Sequence, residues 1–352
     1  MATGKSLRIA DKIIGEGNPT FIIAELSANH NGSLETALET VRAAKRAGAD
    51  AIKLQTYTPD TITIESEKPD FKLDQGTIWD GKYLYELYKE AHTPWEWHEQ
   101  IMKVAAEEGL ICFSSPFDKT AVDFLEKLNV PAYKIASFEI TDIPLIKYVA
   151  SKGKPVIIST GIATEEDINQ ALNACRQQGN NEIVLLKCTS NYPAPIEEAN
   201  LRMIKDFSQR FGVTPGLSDH TMGIAVPIAA AALGARVIEK HFILNHKIGG
   251  PDASFSLDEK EFASMVAAVR VTEKAIGKVD YQLTEKQVKA RSFSRSLYVI
   301  KDVQAGEIIS EENVRSIRPG YGLHPKYLPD IMGRKFRNDC EKGTRFSMDL
   351  IN

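Results

Sequence analysis

Four cysteines in 352 residues, Cys112, Cys175, Cys188 and Cys340, form no CxxC pair. That leaves neither a zinc ribbon nor the dense disulfide framework of a small secreted domain. Neither sign of charge dominates, with 43 Lys+Arg against 47 Asp+Glu and a formal net charge of −4. A strongly basic nucleic-acid binder and a polybasic membrane patch are thereby excluded. Long hydrophobic runs are missing: residues 224–235 form the longest small-apolar stretch, too short to span a bilayer and interrupted by Pro227. Residues 1–10 have no apolar core of the signal-peptide kind, so the chain is expected in the cytoplasm. GxxxxGK[ST] and a strand-linked GxGxxG are both absent, which disfavours the two familiar nucleotide cradles. Aromatic residues at 8% and hydrophobic residues at 43% still suffice for a folded core.

Short β-rich runs alternate with helix-period runs through the first two-thirds. The β runs are 21–25 (FIIAE), 51–55 (AIKLQ), 111–115 (ICFSS), 132–137 (AYKIAS), 155–160 (PVIIST), 183–188 (IVLLKC), 216–220 (GLSDH) and 236–241 (RVIEKH). Helical patterns at 33–47, 119–128, 165–178, 222–233 and 258–275 follow most of them. Strands joined by crossover helices run parallel. Eight such units in about 250 residues predict an α/β fold of the closed (β/α)₈ TIM-barrel class; six or seven strands would instead give an open doubly wound sheet. One connection, between AIKLQ and ICFSS, exceeds fifty residues. Excursions of that length usually lie over an active site. After Gly277 the pattern becomes turn-rich. The expected organisation is a catalytic barrel at 1–277, a linker at 278–291 and a small β-rich domain at 292–352.

Chemistry on a barrel belongs to the C-terminal strand ends, where alternate residues point inward. Period two gives inward sets Phe21, Ile23, Glu25; Ala51, Lys53, Gln55; Ile111, Phe113, Ser115; Ala132, Lys134, Ala136; Ile157, Ser159; Leu186, Cys188, Ser190; Gly216, Ser218, His220; and Val237, Glu239, His241. Most sets turn from small or apolar to polar along the strand. Buried polar groups are costly unless paired, so convergent endings point to a site. A lone histidine is more often structural. His220 and His241, on adjacent strand ends, make a half-site for a divalent cation such as Mn²⁺. Lys53 and Lys134, ringed by Ser115, Ser137, Ser159, Ser190 and Ser218, suit an anionic, phosphate-bearing ligand. Glu25, Glu139 and Asp252 are acid/base candidates, and ordinary surface or capping carboxylates are an equal reading of each.

FIIAELSANHNG, AIKLQTY, FSSPFD, AYKIASFE, VIISTGIAT, LKCTSNYPAP, GLSDHT and VIEKHF together resemble the sialic acid synthase family. The tail from SLYVIKDVQAGEIISEENVRSIRPGYG is similar to the antifreeze-like (SAF) domain fused to those barrels. The resemblance implies condensation of phosphoenolpyruvate (PEP) with an acetamido-sugar aldehyde to a nine-carbon 2-keto acid. It implies His220 and His241 as metal ligands for Mn²⁺, with Co²⁺ or Mg²⁺ as alternatives. Lys134, Ser137, Ser159 and Ser218 would take the PEP phosphate, with Lys53 and Ser115 near its carboxylate. Ser190 stands where many members have Asn, and Ser115 where they have Thr. Gln55, Tyr192 and Asp252 map to the sugar, Glu25 near metal and aldehyde, Glu139 near the reacting carbons. Arg318 matches an arginine that reaches a neighbouring subunit's site, which implies a domain-swapped homodimer. The insertion DFKLDQGTIWDGKYLYELYKEAHTPWEWH, with Trp79 and the 95–98 segment, is similar to the subgroup acting on 2,4-diacetamido-2,4,6-trideoxy-L-altrose; N-acetylneuraminic or legionaminic acid synthesis is the alternative. Two rival classes are a carbohydrate- or ice-binding protein, suggested by the tail alone, and a metal-dependent phosphosugar aldolase.

Overall fold

The computed structural model describes residues 6–74, 76 and 78–352. Residues 1–5, 75 and 77 lie outside the described residues, and with them the start of the expected barrel domain and two positions of the insertion motif. Eight parallel strands close a barrel: β1 Phe21–Glu25, β2 Ala51–Thr56, β3 Ile111–Pro116, β4 Tyr133–Ile135, β5 Val156–Ser159, β6 Ile183–Cys188, β7 Thr214–Asp219 and β8 Val237–His241. β8 returns to pair with β1, from Val237 opposite Phe21 to His241 opposite Glu25. β1 and β6 have the expected bounds. β4 is shorter than expected, because the chain leaves the sheet at Ala136 and winds into a 3₁₀ turn, Ser137–Thr141.

Helices cover the outside, several of them started by a side chain that satisfies free backbone N–H groups. Ser33 caps Leu34–Arg46, and Asp118 caps Lys119–Lys127. Thr164 with Asp167, and Asp258 with Glu261, form reciprocal caps on Glu165–Gln177 and Glu259–Ile276. Val41, Ala44, Phe262 and Met265 pack inward from these helices into one apolar layer. Inside the barrel, Phe21, Ile23, Ala51, Phe113, Ile157 and Val237 fill the end where the strands begin. A short antiparallel ribbon, Leu7–Ile9 with Lys12–Ile14, adds Leu7, Ile9 and Ile14 to that cluster.

The long excursion leaves β2 and carries helices Pro59–Ile62 and Leu84–Ala91 before His98–Glu107 returns to β3. Thr56 Oγ1 and His98 Nε2 lie 2.8 Å apart, and the Trp95 indole donates to the Tyr57 carbonyl at 3.1 Å. These contacts close the base of the excursion.

The chain divides into two compact units, Met1–Gly277 and Lys278–Asn352. In the second, Ser296–Val299 pairs antiparallel with Val314–Ile317 over a core that includes Leu297, Val299, Phe336 and Phe346. The stretch expected as a linker holds a helix, Glu285–Ala290, capped by Thr284 and Gln287.

Candidate active site at the barrel mouth

Parity brings the inward polar residues together as expected. Glu25, Lys53, Lys134 and Glu239 are all buried. Lys53 Nζ lies 2.6 Å from Glu25 Oε2 and donates to Ser115 Oγ at 3.2 Å. Glu239 Oε1 sits 3.9 Å from Lys53 Nζ and 3.8 Å from Lys134 Nζ, and accepts from Ser218 Oγ at 3.0 Å. Gln55 donates to Glu25 Oε1 at 2.9 Å and to Ser27 Oγ at 3.0 Å. Two ammonium groups thus alternate with two carboxylates on the barrel floor. Burial pushes Glu25 up to about 7 against the pull of Lys53. It also draws Lys134 down despite Glu239. In Glu239 the burial penalty is outweighed by Lys134 and Lys53, which hold the carboxyl below its ordinary range.

Hydroxyls gather beside the lysines. Ser137 Oγ accepts from the Gly161 N–H at 3.1 Å and donates to Cys188 Sγ at 3.3 Å. A Cβ on Gly161 would lie 1.9 Å from Ser190 Oγ and 2.7 Å from Ser137 Oγ. Only glycine allows that approach. Ser159 Oγ is buried without a hydrogen-bond partner.

The two histidine rings stand 5.3 Å apart, centroid to centroid. His220 Nδ1 donates to the Thr189 carbonyl at 2.9 Å, so in the neutral ring Nε2 carries the lone pair. Burial favours that form, while Cys188 beside the ring raises His220 above its ordinary value. His241 Nδ1 is buried without a hydrogen bond and lies 3.6 Å from Asp252 Oδ2, beyond bonding reach. Burial, then the nearby His220 and Lys53, hold His241 well below its ordinary value. Its imidazole is therefore neutral at pH 7, the state that ligates a metal. A buried, unpartnered nitrogen facing a second oriented imidazole fits a divalent cation. Among the described residues, three possible ligands also converge at His246, Asp258 and Glu261. That group is largely exposed and is occupied with capping Glu259–Ile276.

Above this floor opens a cleft of about 690 Å³. The barrel contributes Gln55, Glu139, Ser190, His241 and Asp252 to its lining; the excursion contributes Ile62, Leu73, Trp79, Leu84 and Tyr88. Burial pushes Glu139 up to about 7, and its Oε2 has no partner. Trp79 donates to the Pro251 carbonyl at 3.2 Å and packs on Tyr192, which covers His220 at 4.5 Å between ring centroids.

Residues 40–281 match the NeuB family. The chain belongs to the NeuB family. Residues 294–351 match the SAF domain. The pseudaminic acid synthase of Campylobacter jejuni is 53% identical over 92% of this chain and 94% of its own length. The enzyme of that name from Helicobacter pylori is 48% identical over 95% and 98%. Among solved structures, an N-acetylneuraminic acid synthetase from Leptospira borgpetersenii in complex with citrate superposes with a TM-score of 0.73 at 29% identity, covering 82% of this chain and 95% of that one.

Within this NeuB barrel the structure brings together Glu25, Lys53, Gln55, Ser115, Lys134, Ser137, Glu139, Ser159, Ser190, Tyr192, Ser218, His220, His241 and Asp252 at or beneath one mouth. Arg318 belongs to the second unit, exposed just beyond Val314–Ile317. Trp95 and His98 of the insertion lie outside the lining of this cleft. Trp95 stacks on Phe124 and His98 is buried against it, so they anchor the excursion instead. Glu239, beside both lysines, and Cys188, beside Ser137 and His220, belong to the same cluster. Their places on the inward period-two sets are the sequence signal that marks them.

Proposed function

We propose that this chain is a pseudaminic acid synthase, condensing PEP with 2,4-diacetamido-2,4,6-trideoxy-L-altrose to pseudaminic acid and phosphate. The observation carrying this reading is 53% and 48% identity, across nearly the whole chain, to two proteins of that name. Lys134, Ser137, Ser159 and Ser218 take the PEP phosphate through charge-assisted and hydroxyl hydrogen bonds, with Ser190 alongside. Lys53 and Ser115 hold the carboxylate. Gln55, Tyr192 and Asp252 hold the open-chain sugar, and Glu25 faces its aldehyde. His220 and His241 would hold the divalent cation, Mn²⁺ or alternatively Co²⁺ or Mg²⁺, which supplies Lewis-acid polarisation of the aldehyde oxygen when bound.

Positioning makes the bimolecular step effectively unimolecular. C3 of PEP bonds to the aldehyde carbon, whose carbonyl electron pair passes to oxygen and takes up a proton. Water adds to the cation left at C2. Glu139, raised to about 7 by its burial, is poised to take the proton from that water near neutral pH. Collapse of the tetrahedral centre breaks the C2–O bond and expels phosphate. This condensation uses no nicotinamide, flavin or pyridoxal group.

Phosphate release measured with PEP, Mn²⁺ and each candidate acetamido sugar tests the assignment. Turnover is expected to be fastest with the diacetamido altrose; preference for N-acetylmannosamine would overturn it. The resemblance also supports a cytoplasmic, domain-swapped homodimer in which Arg318 serves the partner's barrel. Mixing Arg318→Ala with His220→Ala chains under subunit exchange should then restore up to about half the activity of a normal dimer. No recovery would refute the swap.

A further inference from the structure

The strands that lead into the two histidines, Thr214–Asp219 and Val237–His241, carry a second pair of side chains on their opposite face. Asp219 and Lys240 are direct partners across β7 and β8. Each adjoins one histidine in sequence, so each points away from the barrel axis. Lys240 is 0% and Asp219 3% exposed. Lys240 Nζ lies 2.6 Å from Asp219 Oδ2 and donates also to the Thr221 carbonyl. Asp219 Oδ1 accepts from the Thr221 N–H at 3.1 Å and from its hydroxyl at 2.9 Å.

His220 is therefore bracketed. The residue before it and the residue after it bond to each other, and both bond to the ammonium of the residue preceding His241. An ion pair between helices and barrel is a costly choice, since apolar residues of similar volume there are often at least as stabilising. A buried pair directly across the strands, immediately beside both rings, suits a different task. It fixes the separation of two backbone segments whose neighbouring side chains share one ligand.

We propose that Asp219 and Lys240 form a positioning clamp, which sets the spacing of His220 and His241 and so the affinity of the site for a divalent cation. The inference rests on the reading of those histidines as metal ligands. Neither clamp residue touches the cation or the substrates.

The test uses the full-length chain, stripped with chelator and titrated with Mn²⁺ alone, with free Mn²⁺ counted by electron paramagnetic resonance and melting followed by circular dichroism. Asp219→Asn keeps the shape and the bonds to Thr221 but leaves Lys240 uncompensated. Mn²⁺ affinity is expected to fall about 10- to 100-fold, the usual effect of losing a residue that orients a ligand, and the melting temperature to fall with it. The double variant Asp219→Asn/Lys240→Met removes the lone buried charge. Its melting temperature should recover toward wild type while Mn²⁺ binding stays weak. That separation is what a packing role alone would not produce. Wild-type Mn²⁺ affinity in a stable double variant would overturn the clamp and leave the metal site standing. If the wild type binds no more Mn²⁺ than His220→Ala, the metal-site reading itself fails, and the clamp with it.

Discussion

Where β1, β3, β5 and β8 run through the lower barrel, the axis is filled by Phe21, Phe113, Ile157 and Val237. Two to four residues along the same strands stand Glu25, Ser115, Ser159 and the pair Glu239 and His241. The lower set is fully apolar, and each such side chain stabilises the fold by about 1.5–3 kcal/mol through burial. The upper set contains Ser159 Oγ, Glu239 Oε2 and His241 Nδ1, with Glu139 Oε2 nearby, all buried and without a hydrogen bond. Unsatisfied buried polar atoms destabilise a fold. Their concentration at one end means that the barrel draws its stability from the bottom and carries a cost at the mouth, where ligands would satisfy them.

The sharpest way to break this contrast is to remove a side chain from each end. His220→Ala or His241→Ala should reduce phosphate release to background while the melting temperature barely moves. Phe113→Ala should cost about 3–5 kcal/mol of stability in denaturant titrations, with Mn²⁺ binding intact wherever the chain is folded. A histidine variant that unfolds, or a Phe113 variant that loses only activity, would reverse the assignment of the two ends.

Glu139→Gln comes next, with kcat reduced by about 100-fold or more and both KM values little changed. Since Glu139 titrates near 7, wild-type kcat should rise as the pH passes upward through that value. The variant should lack this limb. Stability moves the other way. A folded value raised above the ordinary carboxyl range means the native chain holds its proton longer, so this group's contribution falls as pH climbs from about 4.5 to 7. The melting temperature of the Gln variant relative to wild type should increase over that interval.

A smaller and more selective effect is expected from Lys134→Ala: the KM for PEP rises roughly 10- to 100-fold as a charge-assisted contact is lost, and the KM for the sugar hardly changes. Equal effects on both would give the lysine another task. Trp79→Ala should be the mildest, narrowing the preference for the diacetamido sugar over N-acetylmannosamine by roughly 10-fold, the scale of one apolar contact. An unchanged ratio would remove Trp79 from substrate selection.

All eight barrel strands and most mouth residues were legible because a period of two marks each of the eight β-rich runs. Strand ends were less so. Ser137 reads as a continuation of AYKIAS, yet its backbone turns off into the 3₁₀ segment to meet Gly161, a contact between chain segments that no local pattern encodes. The ribbon Leu7–Ile14 went unseen for another reason: its two three-residue strands are too short to show alternation. Asp219 and Lys240 fall on the outward positions of their strands, and only cross-strand register makes them a pair. Trp95 and His98 show the opposite limit. Aromatic residues in a substrate-facing insertion suggest a pocket wall, whereas these two hold its stem.

That stem has an implication for how such barrels diversify. With Thr56 tied to His98, and Tyr57 to Trp95, the roughly forty intervening positions form an arch whose feet are fixed independently of what the arch contains. Lengthening a loop with fixed ends costs little, about 0.6 kcal/mol for each doubling. Residues can thus be added, deleted or exchanged between the feet while the pairing of β2 with β3, from Ala51 opposite Ile111 to Thr56 opposite Pro116, goes undisturbed. A lineage keeping one floor for the anionic donor is free to try new acceptors by rewriting the arch alone, and a grafted arch cut between Thr58 and Pro94 is the natural unit for moving acceptor preference from one barrel to another.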